Sequence, residues 1–394
     1  MRRRNFLKAA AGAGVTAAMA GADGWVAVDG GRDHRTGPAA SPETGLPEAE
    51  WPTVSALVDD ACPTYRTTWD DVGCRTLMQG AYLGNGDLGV HLGGTEQVLR
   101  FYLGKNGFHA GNDVAAGRYN QHILNLARLT VEAAATPTAN GAEAPGPSGY
   151  EVTQDLRHAE IRTRHLLGGA PVRTRSYLAP VDNLWVLELA AAGGRGVPVR
   201  ATLSVVGNAY VARGAGTTGP VAWVTKEPHA EGAPFYVKGA VAARVLGADA
   251  TPGSDGRAQA WLTFVLPADG TPVWLVVPAE HLKNAGSPLE GVRTAARSLD
   301  AAGVREVEER NRAWWKAFWL RSFIRLADPV QRYWYNHLYL VGSCARSGRA
   351  GEPGHAPGHW GPWNRADDMM WFSNLGMNYN AQNPYYGTFA ANHV

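Results

Sequence analysis

Between residues 65 and 282, apolar residues come in short runs broken by Gly, Pro, Asn and Asp, the spacing of many antiparallel strands. The clearest runs cover 98–103, 160–164, 172–178, 184–189, 199–206, 260–266 and 273–277. In the second, Ile161 alternates with Arg162 and Arg164; in the third, Arg173 and Arg175 alternate with Val172 and Thr174. Each of these two strands therefore has one wet face and one dry face, and together the runs predict a large β-sandwich.

The period changes at Ser287. Ser287, Pro288 and Glu290 offer a capping serine, a first-turn proline and a glutamate that can bond back, and Val292, Ala295, Ala296 and Leu299 continue at helical spacing. A second helix is predicted from Val304, Val307, Asn311, Trp314, Trp315 and Phe318 on one side, with the Arg and Glu run 305–312 as its solvated face. Asp328 and Pro329 restart a helix whose buried stripe is predicted as Val330, Tyr333, Trp334, His337, Leu338 and Val341, ending at Gly348. From there to Val394 the chain reads as loop, dense in Trp, Asn, Asp, His and Tyr, where a binding surface is expected.

Composition sets the limits. The 394 residues are 45% apolar and 18% charged, enough for a full core and for two domains. The N-terminus reads Arg3, Arg4, Asn5, Phe6, Leu7, Lys8 and then a short Ala- and Gly-rich run, a twin-arginine export address over 1–22 that is too short to span a bilayer. Residues 23–52, mostly small and polar, predict a disordered linker. Loss of Arg2, Arg3, Arg4 and Lys8 on cleavage takes the formal charge from +2 to −2, which argues against nucleic acid as a partner. Secretion is thus expected, with no membrane span in the mature chain.

Three cysteines are too few for a disulfide scaffold, although Cys62 and Cys74 lie close enough in sequence for a bridge. Two separate core thiols are the other reading. His355, His359 and His393 fit no compact zinc spacing, and the glycines near Asn85 match no nucleotide loop, so neither metal nor organic cofactor is expected. The run 133–149, rich in Ala, Pro and Gly, reads as a surface excursion.

Two blocks carry candidate chemistry. Gly84, Asn85, Gly86, Asp87 and Gly89 suit a tight turn whose side chains bond local backbone. The second block runs from His359 to Asn383. Asn378, Asn380, Gln382 and Asn383 each bring donors and acceptors that water, protein or a sugar hydroxyl must satisfy. Trp360, Trp363 and Trp371 either pack beneath a helical domain or stack on a sugar; with 14 Trp and 14 Tyr in the chain, flat aromatic faces are plentiful. Asp367 and Asp368 read either as turn or cap residues or as partners of sugar hydroxyls.

The glycine block at 84–89, the aromatic helix with Trp314, Trp315 and Trp319, the Gly361-x-Trp363-Asn364 run and the Asn378-x-Asn380-x-Gln382 pattern resemble the clan that holds fucosidase family 95 and phosphorylase family 65. The resemblance covers 77–393 and is strongest in the last sixty or so residues. It implies a β-sandwich over 53–284, a helical linker over 285–322 and the beginning of an (α/α)6 toroid over 323–394. It further implies an inverting hydrolysis of glycosidic bonds in which Asn378 and Asn380 hold the attacking water. Trp360, Trp363, Asn364, Asp367, Asp368, Trp371 and Gln382 are the expected substrate contacts. An inverting enzyme needs two carboxyls about 6.5–9.5 Å apart, and in the clan both lie beyond the point that matches Val394. A carbohydrate-binding or structural sandwich without those carboxylates is the alternative expectation.

Overall fold

The computed structural model describes residues 45–69, 79–110, 122–134, 149–206, 211–228, 237–283, 287–346, 356–367, 369–373 and 376–393. The export signal, most of the linker, the excursion at 135–148, Cys74, Gly348, His355, Asp368 and Val394 lie outside these residues.

Sixteen antiparallel strands are described. They are β1 (Thr64–Tyr65), β2 (Tyr82–Gly84), β3 (Leu88–Thr95), β4 (Val98–Ala110), β5 (His122–Ala133), β6 (Glu151–Asp155), β7 (Glu160–Leu167) and β8 (Ala170–Leu178). After them come β9 (Leu184–Ala191), β10 (Val197–Ser204), β11 (Val211–Thr218), β12 (Val221–Pro228), β13 (Val237–Leu246), β14 (Ala250–Ser254), β15 (Gln259–Leu266) and β16 (Val273–Lys283). One sheet runs β1-β6-β7-β8-β9-β16-β13-β12-β11 and the other β14-β15-β10-β5-β4-β3-β2. Their inner faces bury one continuous cluster that includes Phe101, Leu129, Trp185, Leu187, Val241, Phe264 and Leu275. Every strand run expected from the hydrophobic pattern is present; β4 and β16 run on six or seven residues beyond it, and the others are extended or shifted by one to three residues at their ends.

The helices are α1 (Trp51–Asp60), α2 (Pro288–Ser298), α3 (Ala301–Trp319), α4 (Val330–Cys344), α5 (Tyr379–Gln382) and α6 (Tyr386–Ala390). Residues 48–52, assigned to the linker by composition, instead form a 3-10 turn and the first turn of α1. That helix buries Val54, Leu57 and Val58 against the aromatic cluster of α3 and α4, a partner that local composition does not reveal. Among the described residues no helix is long and apolar enough to cross a membrane.

The caps differ from expectation. Ser287 makes no side-chain cap bond, and Glu290 pairs with Arg293 at 2.5 Å instead. Asp328 likewise caps nothing and meets Arg332 at 3.0 Å, whereas Asp300 accepts from the Gly303 N–H at 2.8 Å and caps α3. The stripe of α4 is also rotated. Its buried residues are Gln331, Tyr335, Leu338, Tyr339, Gly342 and Ser343, while Val330 and Tyr333 are 55% and 70% exposed. Tyr335 and Tyr339 take the inner face because both their rings and their hydroxyls find partners there. The Tyr339 ring stacks on Trp315 at 5.0 Å, its O–H donates to the Tyr82 carbonyl at 2.6 Å, and the Tyr335 O–H donates to Ile324 at 2.9 Å.

Nor is the charged run of α3 wholly solvated. Glu308 grips the Arg175 guanidinium with both oxygens, at 2.6 and 2.9 Å, and lies 2.7 Å from Arg312. Arg175 also reaches Glu188 at 2.9 Å, and Arg312 reaches the fully buried Glu160 at 3.1 Å. Arg305, Glu306 and Glu309 face water. These ion pairs set α3 on the outer face of β7, β8 and β9, with Val304 and Val307 packed on Tyr177, Val186 and Val276 beside them.

Candidate functional site

The end of α4 and residues 361–367 lie on the outer face of β2 to β5, and glycines make the close approach possible. A Cβ on Gly84 would fall on the Ser343 carbonyl, and one on Gly104 would fall on that of Pro362. The Trp363 indole N–H donates to the Leu83 carbonyl at 2.7 Å. Arg365 lies over the Tyr102 ring at 4.8 Å. Asn125, fully buried on β5, donates its amide to the carbonyls of Leu103 at 3.2 Å and Asn364 at 2.6 Å.

Asp367 closes this docked segment. Its Oδ1 accepts from the Lys226 ammonium at 2.6 Å and from the Asn125 N–H at 3.1 Å. Lys226 donates further to the carbonyls of Asn125 at 2.7 Å and Val206 at 2.8 Å. With side chains only 1% and 6% exposed, this is a desolvated ion pair whose ammonium has three oxygen partners. Burial pushes the Lys226 pKa down, and the carboxylate of Asp367 opposes that shift.

Past Asp367, Met369 and Ser373 are still buried, and the candidate contact side chains lie nearer solvent. Trp360 is half-buried and donates its indole N–H to the Met370 carbonyl at 2.8 Å. Trp371 is 56% exposed, edge-on to His359 with centroids 5.6 Å apart. Asn378 caps α5, its Oδ1 accepting from the Tyr379 N–H at 2.8 Å, which leaves its NH2 group to offer outward. Asn380 and Gln382 are exposed on the same short helix, and Tyr386 bonds Gln382 at 3.5 Å. A second anchor follows: the Ser322 hydroxyl donates to the Ala391 carbonyl at 2.7 Å, and the His393 ring lies 4.1 Å from that of Phe318.

The expected contact residues thus divide into two groups. Trp363, Asn364 and Asp367 are buried in the joint with the sandwich. Trp360, which precedes the joint, is half-buried, and Trp371, Asn378, Asn380 and Gln382, which follow it, are exposed. The residues that hold the joint, Asn125 and Lys226, escaped the sequence reading. A signal existed, because strict alternation along β12 puts Lys226 on the same face as the buried Ala222 and Val224.

The glycine block behaves as expected for a turn. Asn85 accepts from the N–H groups of Asp87 at 3.1 Å and Leu88 at 2.8 Å, and donates to Ala179 and Asp182. Burial raises the Asp87 pKa, but the adjacent Lys105 ammonium and a bond from Asn183 outweigh it and hold the carboxyl below its usual range. The block is also a socket for the end of α4. Arg346 lies 3.4 Å over the Trp314 ring and donates to the carbonyls of Gly84, Pro180 and Gly342. Trp315, Phe318 and Trp319 pack with Tyr335 and Tyr339 between sandwich and helices.

One group of potential metal ligands occurs among the described residues, Asp59, Cys62 and Asp155, within 4.8 Å of one another. Its carboxylates are already engaged: Asp59 meets Arg157 at 2.8 Å, and Asp155 meets Arg162 at 2.7 Å and His158 at 2.9 Å. Burial pushes the Cys62 thiol up to about 11, which disfavours the thiolate a metal needs.

No family model matches the chain, and no curated protein does. Among solved structures it is similar to a putative kojibiose phosphorylase from the human microbiome, with TM-score 0.49 and 13% identity over 67% of this chain and 39% of the other. An α-mannosidase of family GH92 from Bacteroides thetaiotaomicron gives TM-score 0.45 and 13% identity over 77% and 43%. A bacterial glucoamylase complexed with acarbose gives TM-score 0.41 and 8% identity over 72% and 42%. The chain thus spans about two-fifths of the length of each of these structures.

Proposed function

We propose that this chain is the sandwich and linker portion of an exported glycoside hydrolase, with residues 323–394 opening an (α/α)6 toroid. The supporting observation is the run from Trp360 to Gln382. It is docked by buried groups at Asp367, anchored again at Ala391, and exposes amides and an aromatic ring between those points. Amides with both donors and acceptors, and a flat ring, are the groups that sugar hydroxyls and CH faces require. The order of strands, linker helix and helix pair supports the same reading, as does the motif resemblance.

In this reading the NH2 of Asn378 and the side chain of Asn380 orient a water against the anomeric carbon, and Trp371 and Gln382 contact the sugar. Neutral amides cannot accept the water's proton, so a carboxylate must stand behind them. Asp367 is unsuited to that task, since its charge is committed to Lys226 inside the joint. That observation favours a second reading for the chain by itself, a carbohydrate-binding unit without turnover. Export through the twin-arginine pathway belongs to the proposal as well.

A panel of aryl α- and β-glycosides of glucose, mannose and fucose separates these readings. Turnover supports the hydrolase; competition binding without turnover supports the binding unit. Absence of both overturns the carbohydrate assignment.

A further inference from the structure

The amide-bearing helix α5 is strung between two anchors of different origin. Behind it, Ala391 and His393 rest on α3. Ahead of it come the buried Met369 and Ser373 and, before them, Asp367, which enters the sandwich. There the ammonium of Lys226 joins three chain segments at one point: β5 through the Asn125 carbonyl, the end of β10 through the Val206 carbonyl, and the C-terminal segment through Asp367. Asn125 duplicates the link, its backbone N–H on Asp367 and its side-chain amide on the Asn364 carbonyl.

A buried ion pair is weak evidence for stability, because apolar residues of similar volume fill such a space at little cost to the fold. What they cannot reproduce is direction. A methionine in contact with another methionine tolerates displacement, whereas an ammonium with three oxygens at 2.6–2.8 Å does not. Lys226 stands on a core-facing position of β12, where an apolar residue would be the ordinary occupant.

We infer that Lys226, with Asn125, is a positioning residue. Through its bond to Asp367 it fixes the placement of the Asn378–Gln382 helix relative to the sandwich, so the sandwich takes part in sugar recognition without touching sugar. The inference rests on the sugar-facing reading of that helix for its functional half and on the joint geometry alone for its structural half.

The test uses the whole chain and a paired variant, Lys226→Met with Asp367→Met, which removes both charges together and leaves neither one buried alone. Three quantities are measured: thermal unfolding, amide exchange along the chain, and affinity for D-glucose, D-mannose and L-fucose. The expected result is an unfolding temperature within a few degrees of wild type. The N–H groups of Ala381, Gln382, Ala391 and His393, all hydrogen-bonded in the parent, should exchange at least tenfold faster. Affinity for whichever sugar the parent binds should fall about tenfold, and Lys226→Arg, which keeps the charge, should recover part of it.

Unchanged exchange at those four amides in a folded double variant overturns the positioning role. Altered exchange with unchanged affinity also overturns it, since the sandwich then plays no part in recognition. If the parent binds none of the three sugars, the carbohydrate reading falls by itself, and the exchange result still decides the structural half. Should the double variant not fold, Asn125→Ala gives the same two readouts with the ion pair in place.

Discussion

Residues that break the local pattern carry the joint. Lys226 occupies a core-facing position of an otherwise apolar strand, and its cost there is offset by Asp367 and two carbonyls. Replacing Lys226 alone by methionine leaves the Asp367 charge buried without its ammonium, and stability should fall by about 3–5 kcal/mol in urea unfolding; a loss below about 1 kcal/mol would mean that solvent reaches the pair. Gly104 makes a different kind of test. Gly104→Ala puts a methyl group on the Pro362 carbonyl, so the segment must move off the sheet at a cost of about 1–3 kcal/mol, visible as faster proteolysis after residue 345. The Asn85 turn was legible because Asn and Gly adjacent in sequence bond within the turn itself. Lys226 and Asp367 were not, being 141 residues apart with neither carrying the other's address in its neighbourhood.

At the scale of elements, seven of the sixteen strands and the helices α2, α3 and α4 follow from period alone, and the disagreements in the helices lie where a distant partner decides. The stripe of α4 turned because Trp315 offers a flat face to Tyr339, and periodicity does not rank one aromatic face above another. The charged run of α3 looked like a solvated face because Glu and Arg are usually wet, yet Arg175 on β8 was waiting for Glu308. The ion pairs are partly buried, so Glu308→Gln should cost about 1–2 kcal/mol once solvent screening is allowed for. The loss should be larger than for Glu309→Gln, whose parent side chain faces water. Equal losses for the two variants would show that α3 is held by Val304 and Val307 alone.

The whole molecule responds to acid in a definite direction. Burial holds His91 down at about 3 and His165 and His393 at about 4, against 6.5 for an unfolded histidine. All three are therefore neutral when folded at pH 5 and mostly protonated when unfolded, so the unfolded chain binds about three more protons there. Stability contributed in this way is fully present above pH 6.5 and declines as pH falls toward 4. Further loss follows below the ordinary carboxylate range, where the depressed carboxyls of Asp87, Asp155 and Glu308 take up protons on unfolding before they do so in the fold. Urea midpoints measured from pH 7 to pH 4 should fall monotonically, and a flat profile would place these histidines in contact with water.

The central claim is that the amides of Asn378, Asn380 and Gln382, held between two anchors, face a sugar. The most direct measurement is amide exchange along the whole chain with and without a saturating monosaccharide that it binds. Protection concentrated between residues 369 and 382, and abolished by Asn378→Ala with Asn380→Ala, is the outcome this account predicts. Protection confined to the strands of the sandwich, with that stretch unchanged, would contradict it.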